Sequence, residues 1–239
     1  MDLLLAADTS AYMISVALGS AGNVIAETEL VDAQGDALAL AVHQLLGSTG
    51  SALGDVTGLI VGAGPGSFTG LRMGLSFIKG LALARRIPVR QVSSLLGYVA
   101  ARKMEARLLI GLSDARRGEL FFEPFRRTAA GKLIGLGRAE IVGGEVLEER
   151  IGAIAAAEDV EDHEVICLAA GRNLVELKRF RIEEARNVAG GLLLEGAEDW
   201  CLEEFNAAKL AAINPNYLRA VAALTIAERT ALNNTKKTV

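Results

Sequence analysis

The stretch Leu59–Lys79, LIVGAGPGSFTGLRMGLSFIK, constrains this chain more than any other. Ile60 and Val61 belong to a short apolar run of buried-strand character. Gly64, Pro65, Gly66 and Ser67 interrupt any regular element, and Ser67 or Thr69 is placed to cap the apolar helical run behind them. Strand, glycine loop and helix N-terminus in that order form a pocket of backbone N–H groups that suits an anion. The same glycines equally suit a tight turn where two backbones touch. At about 100° per residue, Arg72, Ser76 and Lys79 form a narrow polar stripe on the helix. Leu71, Leu75, Ile78 and Ala82 flank it on one side, Met73, Phe77, Leu81 and Ala84 on the other, with Gly70 and Gly74 opposite. A helix this apolar is covered on more than one side. Its own sheet can supply one cover; a second layer or a partner must supply the other.

The rest reads as an α/β chain with a mixed sheet. Leu3–Asp8, Ile14–Gly19 and Val24–Leu30 are expected strands joined by short turns. Asp36–Leu46 is a helix with Leu38, Val42, Leu45 and Leu46 on one face and Leu40 on the other, beside His43. Pro88–Val92 is a strand and Ser93–Lys103 a helix, capped by Ser93 or Ser94. The pattern restarts near residue 105: Leu108–Asp114 and Glu119–Phe125 make a hairpin, so the division is into lobes 1–105 and 106–239. Further on, Gly144–Ala156 and Ala189–Phe205 read as helices, Val165–Ala169 as a strand, and Ala220–Leu232 as a terminal helix able to pack between the lobes. Residues 1–105 carry 7 Lys/Arg and 8 Asp/Glu, against 18 and 21 in the remainder, so the first lobe is sparsely charged.

Composition narrows the function classes. Hydrophobic residues make up 51% of the 239, yet no run approaches the roughly 18 apolar residues of a membrane span. The opening MDLLLAADTS lacks a basic n-region and reads as a strand, which with two cysteines (Cys167 and Cys201) out of CxxC spacing points to the cytoplasm. A net charge of −4 gives no general attraction to nucleic acid. His43 and His163 are the only histidines, so no HExxH or cysteine cluster offers a metal its ligands. Ser67 is not in a G-x-S-x-G elbow, Cys167 lies inside a strand, and the loop lacks the G-K-[ST] ending of a P-loop. Asp8 and Asp114 each end the first strand of a hairpin. They could face one phosphate from two lobes, or each could bond its own turn.

AADTS, GAGPGSFTGLRMG, SDARRGELFF and PNYLR, in that order and spacing, resemble the TsaB (YeaZ) family along almost the whole chain. The resemblance implies an actin/sugar-kinase/Hsp70-like fold of two related lobes, the second shortened. It implies a non-catalytic subunit, with no metal or cofactor of its own, that docks on TsaD in threonylcarbamoylation of tRNAs reading ANN codons. TsaE joins through that complex, tRNA is touched only indirectly, and ATP or ADP-Mg could enter only at the joint with TsaD. Isolated copies would pair with each other. The implied partner surface is Asp36, Leu40, His43, Phe68, Arg72, Ser76 and Lys79, although Asp36, Ala37 and Leu40 depart from the family pattern. A nucleotide, were one bound, would meet Asp8, Thr9, Ser10, Gly64, Gly66 and Asp114. The competing reading is an ATP-dependent phosphotransferase using Asp8 and Asp114; a metallopeptidase is weaker.

Overall fold

The computed structural model describes residues 2–31, 36–101, 106–171, 176–198, 200 and 203–218. The apolar opening runs as β1 (Leu4–Asp8) into an antiparallel meander with β2 (Met13–Ser20) and β3 (Asn23–Val31). Then come α1 (Ala37–Ser48), β4 (Gly58–Gly62), α2 (Phe68–Arg85), β5 (Val89–Val92) and α3 (Ser94–Ala100). The sheet order is β3-β2-β1-β4-β5, with β4 parallel to both β1 and β5. Strands β1, β2 and β4 are buried along their whole length, and apart from Asp8, Ser15 and Ser20 they carry no polar side chain.

The second lobe repeats the plan with β6 (Leu108–Arg116), β7 (Glu119–Arg127), β8 (Leu133–Gly135), β9 (Glu140–Gly143), α4 (Leu147–Ala157), β10 (Val165–Ala170) and β11 (Arg181–Glu184). Its order, β11-β10-β6-β7-β8 with β9 also on β7, is the first sheet read in reverse, again with a parallel β6-β10-β11 side. Two copies of one strand order, each a meander followed by parallel strands, constitute the two-lobed actin/sugar-kinase/Hsp70-like architecture. The lobes are interlocked through their last helices. α3 leaves the first sheet to pack on β6 and β7, and α5 (Val188–Gly196) returns from the second lobe to cover β1–β5. α1 and α2 close the other face of the first sheet around Leu38, Leu45, Leu75 and Ile78.

Several expected elements change shape. The helix expected over Ala189–Phe205 ends at Gly196, where a Cβ would strike Ile60 and Val92. Beyond it Trp200 lies over Gly58, and α6 (Ala207–Ala212) follows, sending Leu210 and Ile213 into the first lobe's core. The helix expected from Gly144 opens with a 3-10 turn, Gly144–Val146, before α4. Strands β8, β9 and β11 and helix α6 were not expected; each is six residues or fewer and carries little periodicity. The terminal helix expected over 220–232 lies outside the described residues.

Candidate functional site

The glycine loop is held from three sides, beginning with the turn after β1. Ser67 N–H donates to the Ser10 carbonyl (2.7 Å), while a Cβ on Gly66 would lie 2.3 Å from that same oxygen. Next, the start of α3 closes the loop from above. Gly64 N–H donates to Ser94 Oγ (3.0 Å) and Ser94 N–H to the Gly64 carbonyl (2.9 Å). Third, Asn216 N–H donates to the Ala63 carbonyl (2.7 Å), so the PNYL segment is tied to the loop. Ser67 caps α2 by accepting from Gly70 N–H, and the first two turns of α2 lie against Thr9, whose hydroxyl donates to the Gly70 carbonyl (2.7 Å). Of the two uses open to these glycines, close backbone approach is the one this geometry displays. The N–H groups of Gly64, Ser67 and Gly70 already have partners.

Asp8 stands behind the loop, 2% exposed. Its Oδ1 accepts from the Ser10 amide (2.9 Å) and hydroxyl (2.6 Å), its Oδ2 from Ser94 Oγ (2.6 Å). A Cβ on Gly62 would fall 1.8 Å from that Oδ2, so glycine there makes room for the carboxylate. Burial pushes the Asp8 pKa up, and the bonds from Ser10 and Ser94 oppose it. The fully buried Tyr98 hydroxyl on α3 sits 3.1 Å from Ser10 Oγ, its pKa also raised, first by burial and then by the Asp8 charge.

Asp114 holds the matching place in the second lobe. Ala7 pairs with Val61 and Ser113 with Ala170, so Asp8 and Asp114 stand beside Gly62 and Gly171 respectively. Their surroundings differ. Asp114 has a half-exposed side chain and accepts from the amide of Arg116 (2.6 Å) in its own turn. It lines a cleft of about 260 Å³ between the lobes with Ser10, Tyr12, Ser67, Ser113 and Arg116. Of the six residues read as a nucleotide site, Ser10 and Asp114 reach this cleft; the Asp8 carboxylate is turned into the protein. Among the described residues no group of three His, Cys, Asp or Glu side chains could hold a metal ion. Cys167 is buried in β10, its thiol pushed up to about 12 by burial and then by the Glu148 charge. No helix among the described residues is long and apolar enough to cross a membrane.

The residues read as a partner surface fall on α1 and α2, on one face of the first sheet. Asp36, His43 and Ser76 are exposed, as are Leu40 (53%) and Phe68 (38%). Arg72 stacks 3.9 Å from the Phe68 ring centroid, and its Nε donates to the Tyr217 hydroxyl (2.9 Å). Lys79 Nζ donates to the Ala211 carbonyl (3.3 Å). Part of the cover expected from outside is therefore supplied by residues 207–217 of the chain itself. Leu83, 63% exposed, continues the stripe of Arg72, Ser76 and Lys79 at helical spacing. That spacing was readable in the sequence; the arrival of Tyr217 was not.

These features define a two-lobed α/β protein of the actin/sugar-kinase/Hsp70 class whose glycine loop is occupied by its own chain. The family model for TsaD, tRNA N6-adenosine threonylcarbamoyltransferase, matches residues 32–135. The tRNA threonylcarbamoyladenosine biosynthesis protein TsaB of Escherichia coli is 35% identical over 151 residues, 62% of this chain and 65% of the relative. TsaB of Bacillus subtilis is 38% identical over 120 residues, 49% and 52%. The chain thus matches between half and two thirds of the length of these relatives. A Pseudomonas aeruginosa structure described as similar to peptidase YeaZ superposes with a TM-score of 0.74 at 28% identity, covering 92% of this chain and all of that one. P. aeruginosa YeaZ itself gives 0.70 at 26%, covering 91% and 100%. In sequence over part of its length, and in fold over nearly all of it, the chain is similar to TsaB (YeaZ) proteins.

Proposed function

We propose that this chain is a cytoplasmic, non-catalytic subunit of tRNA threonylcarbamoyladenosine biosynthesis that docks on TsaD through the outer faces of α1 and α2. The observation that carries the reading is the pairing of a self-satisfied glycine loop with an apolar outer face. Asp8 and the amides of Gly64 and Ser67, groups a phosphotransferase would turn toward nucleotide, are bonded within the chain. Leu40, Phe68 and Leu83 are exposed on two helices of one sheet face. A standard interface of roughly 1,600 Å² would cover them. On this reading the chain needs no nucleotide of its own, meets TsaE and tRNA through the complex, and in isolation leaves the same face open to a second copy.

The test is co-purification with TsaD from the same source. Leu40→Asp should abolish pairing with an unchanged circular dichroism spectrum and melting curve; undiminished pairing refutes the docking face. Calorimetry of the isolated chain with ATP-Mg addresses the alternative. Silence is the expected result, whereas micromolar binding in the cleft beside Asp114 would favour a phosphotransferase.

A further inference from the structure

The second lobe has a cleft of its own, and its origin lies in one residue of β7. In an antiparallel strand the N–H and C=O of a residue point to the same neighbour. Pro124 has no N–H, so on the β8–β9 side it offers only its carbonyl, which accepts from Leu136 N–H (2.9 Å). β8 follows β7 as far as Phe125 and β9 rejoins it at Phe122, while residues 137–139 lie outside the ladder. Between that detour and α4 is a cleft of about 480 Å³, lined by Pro124, Leu136, Ala139, Ala153, Ile154 and Ala157 among others. Arg150, Ala153, Ile154 and Ala157 recur at three- and four-residue steps, so they share one face of α4. The two alanines on that face are too small to close the gap.

The walls are fixed. Leu136 and Ile154 pack against the lobe's own core. Arg150 Nε donates to Glu140 Oε1 (2.9 Å), tying α4 to β9, and an Arg126 terminal nitrogen donates to Glu158 Oε2 (3.0 Å), tying the end of α4 to β7. Both carboxylates on the rim therefore have an arginine already. Arg138, exposed on the detour, has no side-chain partner among the described residues, and neither do the terminal nitrogens of Arg150. Three guanidinium groups thus stand against two carboxylates, with two planar forks open to a further anion.

We infer that this cleft binds an aliphatic monocarboxylate, its hydrocarbon part over Pro124 and Ile154 and its carboxylate against Arg138 and the terminal nitrogens of Arg150. The volume falls in the range of about 300–1,000 Å³ usual for small-molecule sites. The lining decides the class. Among the described residues it includes no aromatic ring, so a flat base would find nothing to stack on. The several charges of a polyphosphate would meet Glu140 and Glu158, whereas a single carboxylate matches the surplus of one cation. A wholly uncharged hydrocarbon would leave that surplus unused. The site belongs to the second lobe, and it stands whether or not the docking reading above holds.

Calorimetric titration of the full chain with octanoate tests the assignment. Binding with a Kd below about 1 mM is expected, at least about tenfold tighter than for octanamide, which keeps the hydrocarbon and loses the charge. Arg138→Glu should weaken octanoate by about tenfold or more. Ala153→Phe, which fills the cleft from an exposed helical position, should abolish binding. Both variants should keep the wild-type melting curve, since neither residue is part of the core. NMR of the unsubstituted chain gives a second readout that needs no variant: octanoate should shift the amides of Gly137, Arg138 and Ala153 and leave Gly66 in place. N-acetylleucine, which has the chemistry of a peptide C-terminus, distinguishes the source. Tighter binding than octanoate at the same amides supports the site and assigns it to a chain end; weaker binding supports it and assigns it to a free acid. Silence of both probes at about 10 mM overturns the inference. So do octanoate binding that survives both substitutions, equal binding of octanamide, and amide shifts confined to other parts of the chain.

Discussion

Gly70→Ala and Gly80→Ala are the same substitution on the same helix, and their effects should have opposite signs. At Gly80 an added Cβ meets nothing within 4 Å, so alanine contributes only its better helix propensity, about 1 kcal/mol. At Gly70 the Cβ would lie 2.1 Å from the Thr9 carbonyl oxygen, roughly 1 Å inside the closest tolerable contact. Thr9 cannot simply retreat. Its hydroxyl is bonded to the Gly70 carbonyl, and the next residue is bonded to both Asp8 and Ser67. Overpacking costs about 1–3 kcal/mol, and a hydrogen bond lost to the shift about 1 more. Against a propensity gain that is smaller in a first turn, the net destabilisation is about 2 kcal/mol. For a chain of this size that corresponds to a fall in melting temperature of roughly 4–8 °C, against a rise of roughly 2–4 °C for Gly80→Ala. Urea unfolding of the two variants beside the wild type, with unchanged m-values, reads the difference directly. If Gly70→Ala proves as stable as Gly80→Ala, the contact between the β1–β2 turn and α2 does not hold the loop as described.

Asp8 gives a pH dependence of definite sign. Its native pKa is raised above 3.8, so the native state keeps the proton to higher pH than the unfolded chain does. The contribution of Asp8 to stability is thus largest below that value, falls as pH rises through the raised native value, and is flat beyond it. Relative to Asp8→Asn, the wild type should lose stability from about pH 4 toward neutrality; a constant difference in urea midpoints would contradict this. Gly58→Ala would place a Cβ 2.0 Å from the ring of Trp200, the single tryptophan, and should shift its emission to the red; unaltered emission would mean the ring is not seated there. The Cys167 thiol, buried and pushed up to about 12, should resist Ellman's reagent in a Cys201→Ser background until the protein is unfolded; prompt labelling in the folded protein would place that thiol elsewhere.

The strand, loop and helix of the glycine segment were legible because each has a local signal: an apolar run, two glycines around a proline, a capping serine. What the loop contacts was not. A glycine that admits a phosphate and one that admits the Ser10 carbonyl are the same residue in sequence, and 56 positions separate the two partners in the chain. The echo between Asp8 and Asp114 was readable and has a structural basis in the repeated sheet order, although Asp8 ends β1 while β6 runs past Asp114 to Arg116. Their different fates depend on neighbours distant in sequence, Ser94 over Asp8 and only the local Arg116 turn beside Asp114. The segment of residues 203–217 left little trace because Leu210 and Ile213 are just two anchors on a six-residue helix and the turn behind it. β11, Arg181–Glu184, pairs with the second sheet through backbone groups that its charged sequence does not advertise.

A loop that binds phosphate must keep its amides available until the ligand arrives, and such a loop is mobile or strained without it. Here Gly64, Ser67 and Gly70 have spent their amides on Ser94, Ser10 and the helix cap, so these three groups are engaged within the chain. The consequence reaches α2. A helix whose first turns are fixed by Ser67 and pressed through Gly70 and Gly74 against Thr9 has little freedom to slide or tilt. Phe68 and Arg72 emerge from those same turns, with Tyr217 bonded across them by a segment that also ties down Ala63. Closing the glycine loop on its own chain therefore fixes where the outer face of α2 presents its ring and its guanidinium. Rigidity at that point lowers the entropy lost on association. A loop closed in this way suits the first lobe to offering a preformed surface.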